Sequence, residues 1–462
     1  MTSILYAKES IEVLSDERRG HVFFGEQRFG AALRLINNRL RLEVSDPEGH
    51  FRDVIPDKLD LIHFRTNSSY FSLLHLRRIS SKTRLGVGGM SMFSVSFALE
   101  EALFPALDDV RSDCWCVYVE DVAKIHHVTG LQHSIMLLPD NRIALNWAFN
   151  PAKPIELDCS EAKLIVELGQ DMKTNGDLVG GPSLAFKYPV KLRFETPVDL
   201  DTALKKMNRV RQFFSLLMGR MLGINEAYLR LIEDGRPHDV GIHGLRATQL
   251  SDKPANRIVS FDDPVELAAL LDRWLVRADG LADAVSLHFQ GLEQRDLEPA
   301  LRFQLFVQAI EAAHRRTAPL SASPIAAVPI LDTLRTAGIS DDVVDRVGGV
   351  LAHAHEPGLR QRLKYYWELF AAEIKVLRPG LKQKAAISQL AATRNFYAHR
   401  TDKTSQILEG ADLWDATELM KAISHMAILR EIEAQTVGIG QSMLDNMFVQ
   451  FAERTDRIPA GE

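Results

Sequence analysis

The chain has 462 residues, 46% hydrophobic and 25% charged, which is enough for two or three ordinary globular domains and unlike a disordered or collagen-like sequence. Its 55 Lys and Arg against 61 Asp and Glu give a net charge of -6, so it is not a generic polyanion binder, and any nucleic-acid contact has to come from a local basic surface. No apolar run approaches the ~18–20 residues that span a bilayer, and Met1 to Ser10 has no apolar signal core, so a cytoplasmic protein without membrane contact is expected.

The first ~200 residues read as strands by their period of two. Leu40, Leu42 and Val44 alternate with Arg39, Arg41 and Glu43, and Asn37-Asn38 makes a hairpin turn back to Leu33 and Leu35. Phe93, Val95, Phe97 and Leu99 form another alternating run. Cys116 to Val119 reads as a buried strand, and Ile143, Leu145 and Trp147 as a further one. Ile155 and Leu157, then Val190, Leu192 and Phe194, continue the series. Many short strands between turn residues predict a sandwich or barrel-like sheet domain. The three cysteines, Cys114, Cys116 and Cys159, are expected as reduced thiols. Cys114-Trp115-Cys116 lacks the second pair of a zinc site, so a buried structural role is expected for it.

The period then becomes helical. Leu204, Met207, Arg211, Phe214 and Leu217 recur three or four apart. Residues 234–254, with several Gly and Pro, read as a loop-rich connection. Asp263-Pro264 has the chemistry of a helix start. Helices are predicted over 298–316, 325–337, 341–354, 358–377, 381–399 and 413–433, with a short segment over 439–451. The predicted fold class is α+β multidomain: a β-rich domain over 1–230, a connection over 231–260 and a helical domain over 261–462.

An arginine followed by four to six residues and a histidine occurs at Arg236/His243, Arg346/His353 and Arg394/His399. About three such pairs are expected by chance, so context has to separate them. Arg236/His243 spans Pro237 and Gly241 in the connection, where nothing holds the two side chains together. Arg346/His353 precedes His355-Glu356, an incomplete ligand set that reads better as a solvated helix end. Arg394-Asn395-Phe396-Tyr397-Ala398-His399 closes an apolar helical run through Ala386, Ile387, Leu390 and Ala391. Lys382, Lys384, Arg400 and Lys403 add positive charge around it. Five residues on an ideal helix turn through about 140°, so Arg394 and His399 do not share a face. Either the helix bends or ends near Ala398, or a second surface completes the pocket, as a symmetric dimer would. The bland reading is a surface ion pair and a helix C-terminal cation.

With Arg394-Asn395-x-x-x-His399 near the end of a long penultimate helix, and with Leu301 to Arg315 matching an early bundle helix, the second half resembles the HEPN superfamily. Gly20 to Phe24 and Gly30 to Val44 resemble the opening of the β-rich domain of ApeA-type anti-phage proteins. The resemblance implies an all-α HEPN bundle behind the β-rich domain. It also implies a metal-independent endoribonuclease toxin of abortive infection acting on RNA, with tRNA as the expected class. No cofactor and no metal are implied. The catalytic residues would be Arg394, Asn395 and His399, with Arg400 and Lys403 as RNA contacts. A homodimer or higher homo-oligomer and a phage-derived trigger are the implied partners.

The residue types suit that chemistry. The RNA 2′-hydroxyl is its own nucleophile, and an imidazole exchanges protons near neutral pH. A guanidinium stays charged and forks onto a phosphate. Asn395 would position either the phosphate or the imidazole. Some HEPN toxins carry a modifiable tyrosine two residues after the histidine; Thr401 stands there instead, which argues against that route of silencing. Regulation is expected from the β-rich domain.

Other features have plainer readings. Glu311 and His314, three apart, could line the same cleft but read first as a surface pair. Tyr365, Tyr366 and Trp367 could stack on bases but fit a packed core better. Two rival functions stand beside the nuclease. One is a non-catalytic HEPN-like binding or sensor protein with a vestigial motif. The other is a carbohydrate-binding β domain using Trp115 and Trp147.

Overall fold

The computed structural model describes residues 17–24, 27–36, 39–46, 56–84, 88–119, 122, 131–137, 143–149, 153–169, 171–177, 181–233, 236–245, 258–259, 263–293, 297–317, 327–353, 357–399 and 404–445. They form two compact units, Met1–Ser215 with Leu222–Pro254 and Ser260–Val276, and Leu216–Met221 with Ala255–Val259 and Arg277–Glu462.

The first unit begins with strands β1 (Arg18–Phe24), β2 (Gln27–Ile36), β3 (Arg39–Asp46), β4 (Lys58–Arg65), β5 (Tyr70–Arg84) and β6 (Gly88–Val95). They pair antiparallel in the order β5-β4-β1-β2-β3-β6, and β6 returns to β5, closing a six-stranded barrel. The predicted alternation holds: Leu40, Leu42 and Val44 point into the barrel with Val22, Leu33, Phe64, Phe71 and Phe93, all fully or nearly fully buried. A barrel this narrow is filled by its own side chains and leaves no open edge. Where β1 crosses β4 the backbones nearly touch, and a Cβ on Gly20 would lie 2.0 Å from the Arg65 carbonyl oxygen.

Strand β5 leaves the barrel at its middle. His75 has φ 50°; the residues after it pair with β6, and Phe71 to Leu74 pair with β7 (Phe97–Glu100). The run Phe93 to Leu99, expected as one strand, is therefore two. Ser96 breaks it, its N–H donating to Leu74 O (3.1 Å) and its hydroxyl to His75 O (3.3 Å). The two kinks together turn the chain from a closed barrel into an open sheet.

The rest of the unit comprises β8 (Arg111–Val119), β9 (Leu131–Leu137), β10 (Ile143–Phe149), β11 (Ile155–Cys159), β12 (Leu164–Leu168), β13 (Asp171–Asp177), β14 (Gly181–Lys187) and β15 (Pro189–Asp199). Helix α1 (Leu200–Met218), β16 (Ile224–Glu233), β17 (Arg236–His243) and α2 (Pro264–Arg277) follow. The open sheet runs β7-β17-β16-β8-β15-β12-β11, and β9/β10 and β13/β14 are separate hairpins. Residues 236–243, expected as loop from their Gly and Pro, form β17 between β16 and β7. Its Pro237 lies near the strand start and Val240 and Ile242 are buried, so pairing and burial override composition. Trp115, offered as a ligand platform, is fully buried and donates to Ser112 O (2.8 Å), so it faces no ligand; the Trp147 side chain lies outside the described residues. Cys116 and Cys159 are buried and all three thiols are free; burial pushes Cys159 up to about 12.

Asp263 caps α2 as expected, accepting from the Val265 N–H (2.8 Å). Asp272 then accepts from the Glu161 and Ala162 N–H groups (3.1 and 3.0 Å), and Trp274 donates to Arg209 O (2.7 Å).

The second unit holds α3 (Ala282–Glu293), α4 (Pro299–Thr317), α5 (Ala327–Thr336), α6 (Asp341–His353), α7 (Leu359–Leu369), α8 (Ala371–Leu377), α9 (Gln383–His399) and α10 (Gly410–Glu431). Helix α10 is buried around most of its circumference, from Leu413 through Leu429, as a bundle's central helix should be. It packs on α3, α4 and α7. Residues 358–377, expected as one helix, break at Phe370 (φ -110°, ψ 27°), whose ring stacks on Tyr366 (5.9 Å, 11°). Tyr366 and Trp367 are buried, so they pack the core. No helix among the described residues is long and apolar enough to cross a membrane.

Candidate functional site

Helix α9 carries the motif. Ala386, Ile387, Leu390, Ala391 and Thr393 form its buried face, and it packs on α4 and α7. After the motif the chain returns along the same helix: the Leu408 N–H donates to the buried Thr393 Oγ1 (3.0 Å). The motif is thus held from below by apolar packing and from behind by a backbone hydrogen bond.

The helix does not stop before the histidine; it runs through His399 as its last residue. Arg394 nevertheless reaches His399, with Nη1 3.1 Å from Nε2. The long, flexible arginine stem spans the angular gap, so a second surface is not required to bring the two together. A guanidinium only donates, so Nε2 is the acceptor. In this contact the ring proton sits on Nδ1, a tautomer assigned from the hydrogen-bond network. Asn395 Oδ1 also accepts from Arg394 Nη1 (3.4 Å), and both Asn395 and His399 are exposed.

The other arm of the fork is held by Glu311 of α4. Arg394 Nη2 donates to its Oε2 at 3.2 Å, and the two side chains are 22% and 16% exposed. Such shielding makes the pair stronger than a fully solvated one. Glu311 is itself positioned through its backbone: buried Arg362 of α7 donates Nη1 to Glu311 O (2.9 Å) and Nε to Pro357 O (2.7 Å). Glu311 and His314 are therefore not a surface pair. His314 turns into the bundle, edge-on to Tyr365 and Tyr366 (5.1 and 5.9 Å). Burial, aided by the Arg362 charge, lowers its pKa, as suits a ring packed among other rings. Sequence reasoning named Glu311 but missed its partner, because Arg394 lies 83 residues away.

Arg400, Lys403 and Thr401 lie outside the described residues. The two other arginine–histidine pairs form no site among the described residues. Arg236 and His243 stand at opposite ends of β17. His243 instead contacts Glu100 (2.9 Å), and that hydrogen bond holds the Glu100 carboxyl below its usual range. Arg346 is exposed and pairs with Asp342 (3.5 Å); the His353 side chain is outside the described residues. Among the described residues no group of three or more His, Cys, Asp or Glu could hold a metal ion.

Two family models match the chain. Residues 17–269 match ApeA N-terminal domain 1, and residues 305–436 match the Apea-like HEPN domain, which contains α9 and Glu311. No curated protein matches the chain significantly. A solved structure of MrkH, described as a c-di-GMP-dependence transcription regulatory factor, aligns over 46% of this chain and 99% of its own. The identity is 9% and the TM-score 0.15, too slight to carry an argument. With the first match spanning more than half of the chain and the second enclosing the arginine–histidine pair, this protein belongs to the ApeA family, a β-barrel-bearing N-terminal domain followed by an Apea-like HEPN domain.

Proposed function

We propose that the chain is a metal-independent endoribonuclease of anti-phage abortive infection, cutting RNA, with tRNA as the substrate class. The observation that supports it is the 3.1 Å contact between Arg394 and an exposed His399 whose Nε2 accepts, with the arginine anchored by Glu311. A neutral imidazole is the form that can take a proton.

In this reading the scissile phosphate displaces His399 from one arm of the Arg394 fork, which then faces the charge building on the phosphoryl oxygens. His399, released, takes the proton of the adjacent 2′-hydroxyl. The 2′-oxygen bonds to phosphorus, the bond to the 5′-oxygen breaks, and that oxygen takes its proton from water. The products are a 2′,3′-cyclic phosphate and a 5′-hydroxyl. The nucleophile belongs to the substrate, so the cut needs no metal-activated water, and DNA is not cut. Asn395, beside Arg394, orients the phosphate. Arg400 and Lys403, close in sequence, supply further phosphate contacts. A homodimer sets two such sites side by side, and the N-terminal unit senses a phage component and restrains the helical one.

The test is incubation of the wild-type chain and a His399→Ala variant with total tRNA and a chelator, followed by end-group analysis. Cutting by wild type alone, leaving cyclic phosphate ends, is the expected result. Equal silence of both under conditions where the wild type is toxic in cells would favour a non-catalytic binding protein.

A further inference from the structure

The outer wall of the barrel carries a row of four cations and one serine running across five consecutive strands. Arg34 of β2 stands directly opposite Arg41 of β3, Arg41 opposite Ser94 of β6, Ser94 opposite Arg77 of β5, and Arg77 opposite Lys58 of β4. All five side chains face outward: Leu33, Leu40, Leu42, Phe93, Val95 and Leu76 beside them fill the interior, and Arg77 and Lys58 are exposed. At ~4.8 Å between strands the row spans roughly 19 Å.

Two of its neighbouring pairs, Arg34/Arg41 and Arg77/Lys58, set like charge directly against like charge across a strand pair, an arrangement that weakens a sheet. Arg34 is partly neutralised by Glu17 (3.1 Å) and Glu43 (3.9 Å). Arg41, Arg77 and Lys58 have no ion pair with a described carboxylate. Guarding a sheet edge does not account for the row, because a closed barrel has no edge there. A row in which three of four cations pair with no described carboxylate, on a protein of net charge -6, is the local basic surface that a polyanion needs.

We propose that this row binds the phosphodiester backbone of an RNA strand. The repeating, sequence-independent charge of the backbone matches a row of guanidinium and ammonium groups with no base-reading side chains required. A flexible strand can follow the curved wall, whereas a flat bilayer surface would meet only part of it. The choice of RNA rests on the nuclease reading of the helical unit; the anionic fit of the row does not.

The test uses the full chain bearing His399→Ala, so that RNA stays intact, and a fluorescent single-stranded RNA of about 20 nucleotides, read by anisotropy between about 50 and 200 mM salt. With four contacts, log affinity should fall against log salt with a slope of about -3. Arg41→Gln with Arg77→Gln should halve that slope and weaken binding at low salt at least about tenfold. Arg41→Glu with Arg77→Glu should abolish binding. The Gln pair removes like-charge repulsion, so its fold, checked by thermal unfolding, is retained and the test remains decisive even if the Glu pair unfolds. Unchanged affinity and slope in the folded Gln pair would overturn the proposal. So would loss of binding to phosphatidylserine vesicles in a chain that never bound RNA. Cleavage by the wild-type chain is scored separately: row-dependent binding without cleavage would refute the nuclease and leave this site standing.

Discussion

Glu311 and Arg394 are 83 residues apart in sequence and 3.2 Å apart in the folded protein. The carboxylate holds one arm of the guanidinium while the other arm meets His399. In the proposed reaction the arginine would thereby be aimed before RNA arrives, lowering the cost of ordering it.

If that aim matters, Glu311→Gln should keep a hydrogen bond and lose the charge, lowering RNA cleavage roughly tenfold. Glu311→Ala should lower it further, whereas Glu311→Asp should recover part of it. Rates measured with saturating RNA, alongside thermal unfolding, separate the positioning role from a loss of fold.

His399→Ala and Arg394→Ala should each reduce cleavage by about 10²–10⁴-fold. Arg394→Lys should not rescue, because an ammonium cannot hold Glu311 and a phosphate with one planar fork. Relief of toxicity on overexpression checks the same point in cells.

Acid should weaken the helical unit. His288 of α3 and His425 of α10 are fully buried and joined at 3.3 Å, with Ser424 at the far nitrogen of His288 (2.9 Å). Burial lowers both, His288 with help from the nearby His425 and Lys421 charges and His425 with help from Lys421, taking His425 to about 3. Their folded values lie below the unfolded one near ~6.5, so the unfolded chain takes up protons first. Stability from both rings is full above ~6.5 and declines as pH falls below it, for His425 down to about 3. Unfolding midpoints at successive pH values should show the decline, and His425→Gln should flatten it.

Gly20→Ala should disrupt the barrel, because its methyl carbon would lie 2.0 Å from the Arg65 carbonyl oxygen. The strands must separate or distort, and a loss of about 3 kcal/mol is expected. Chemical denaturation measures it, with Gly30→Ala, where the added carbon meets nothing within 4 Å, as the control.

Much of the architecture could be read in one dimension. Alternation at Arg39 to Val44 marked a strand with a core face, and spacing at Leu204 to Leu217 marked a helix, because both patterns arise between near neighbours. The breaks were not readable. Ser96 and Phe370 lie in runs whose local pattern continues through them, and the chain turns there to meet partners remote in sequence. The strand at 236–243 was hidden by its Gly and Pro, since its stability comes from pairing with β16 and β7.

The same division runs through the candidate site. Residue identity alone determined that Arg394, Asn395 and His399 could serve phosphate chemistry, since charge, donor geometry and proton affinity belong to the side chains. Only the tertiary structure decided that Arg394 reaches His399 along an unbroken helix, that Glu311 steadies it and that His314 turns away. Those outcomes depend on how helices from distant parts of the chain pack, and packing is set by the sum of many weak contacts rather than by any short stretch of sequence.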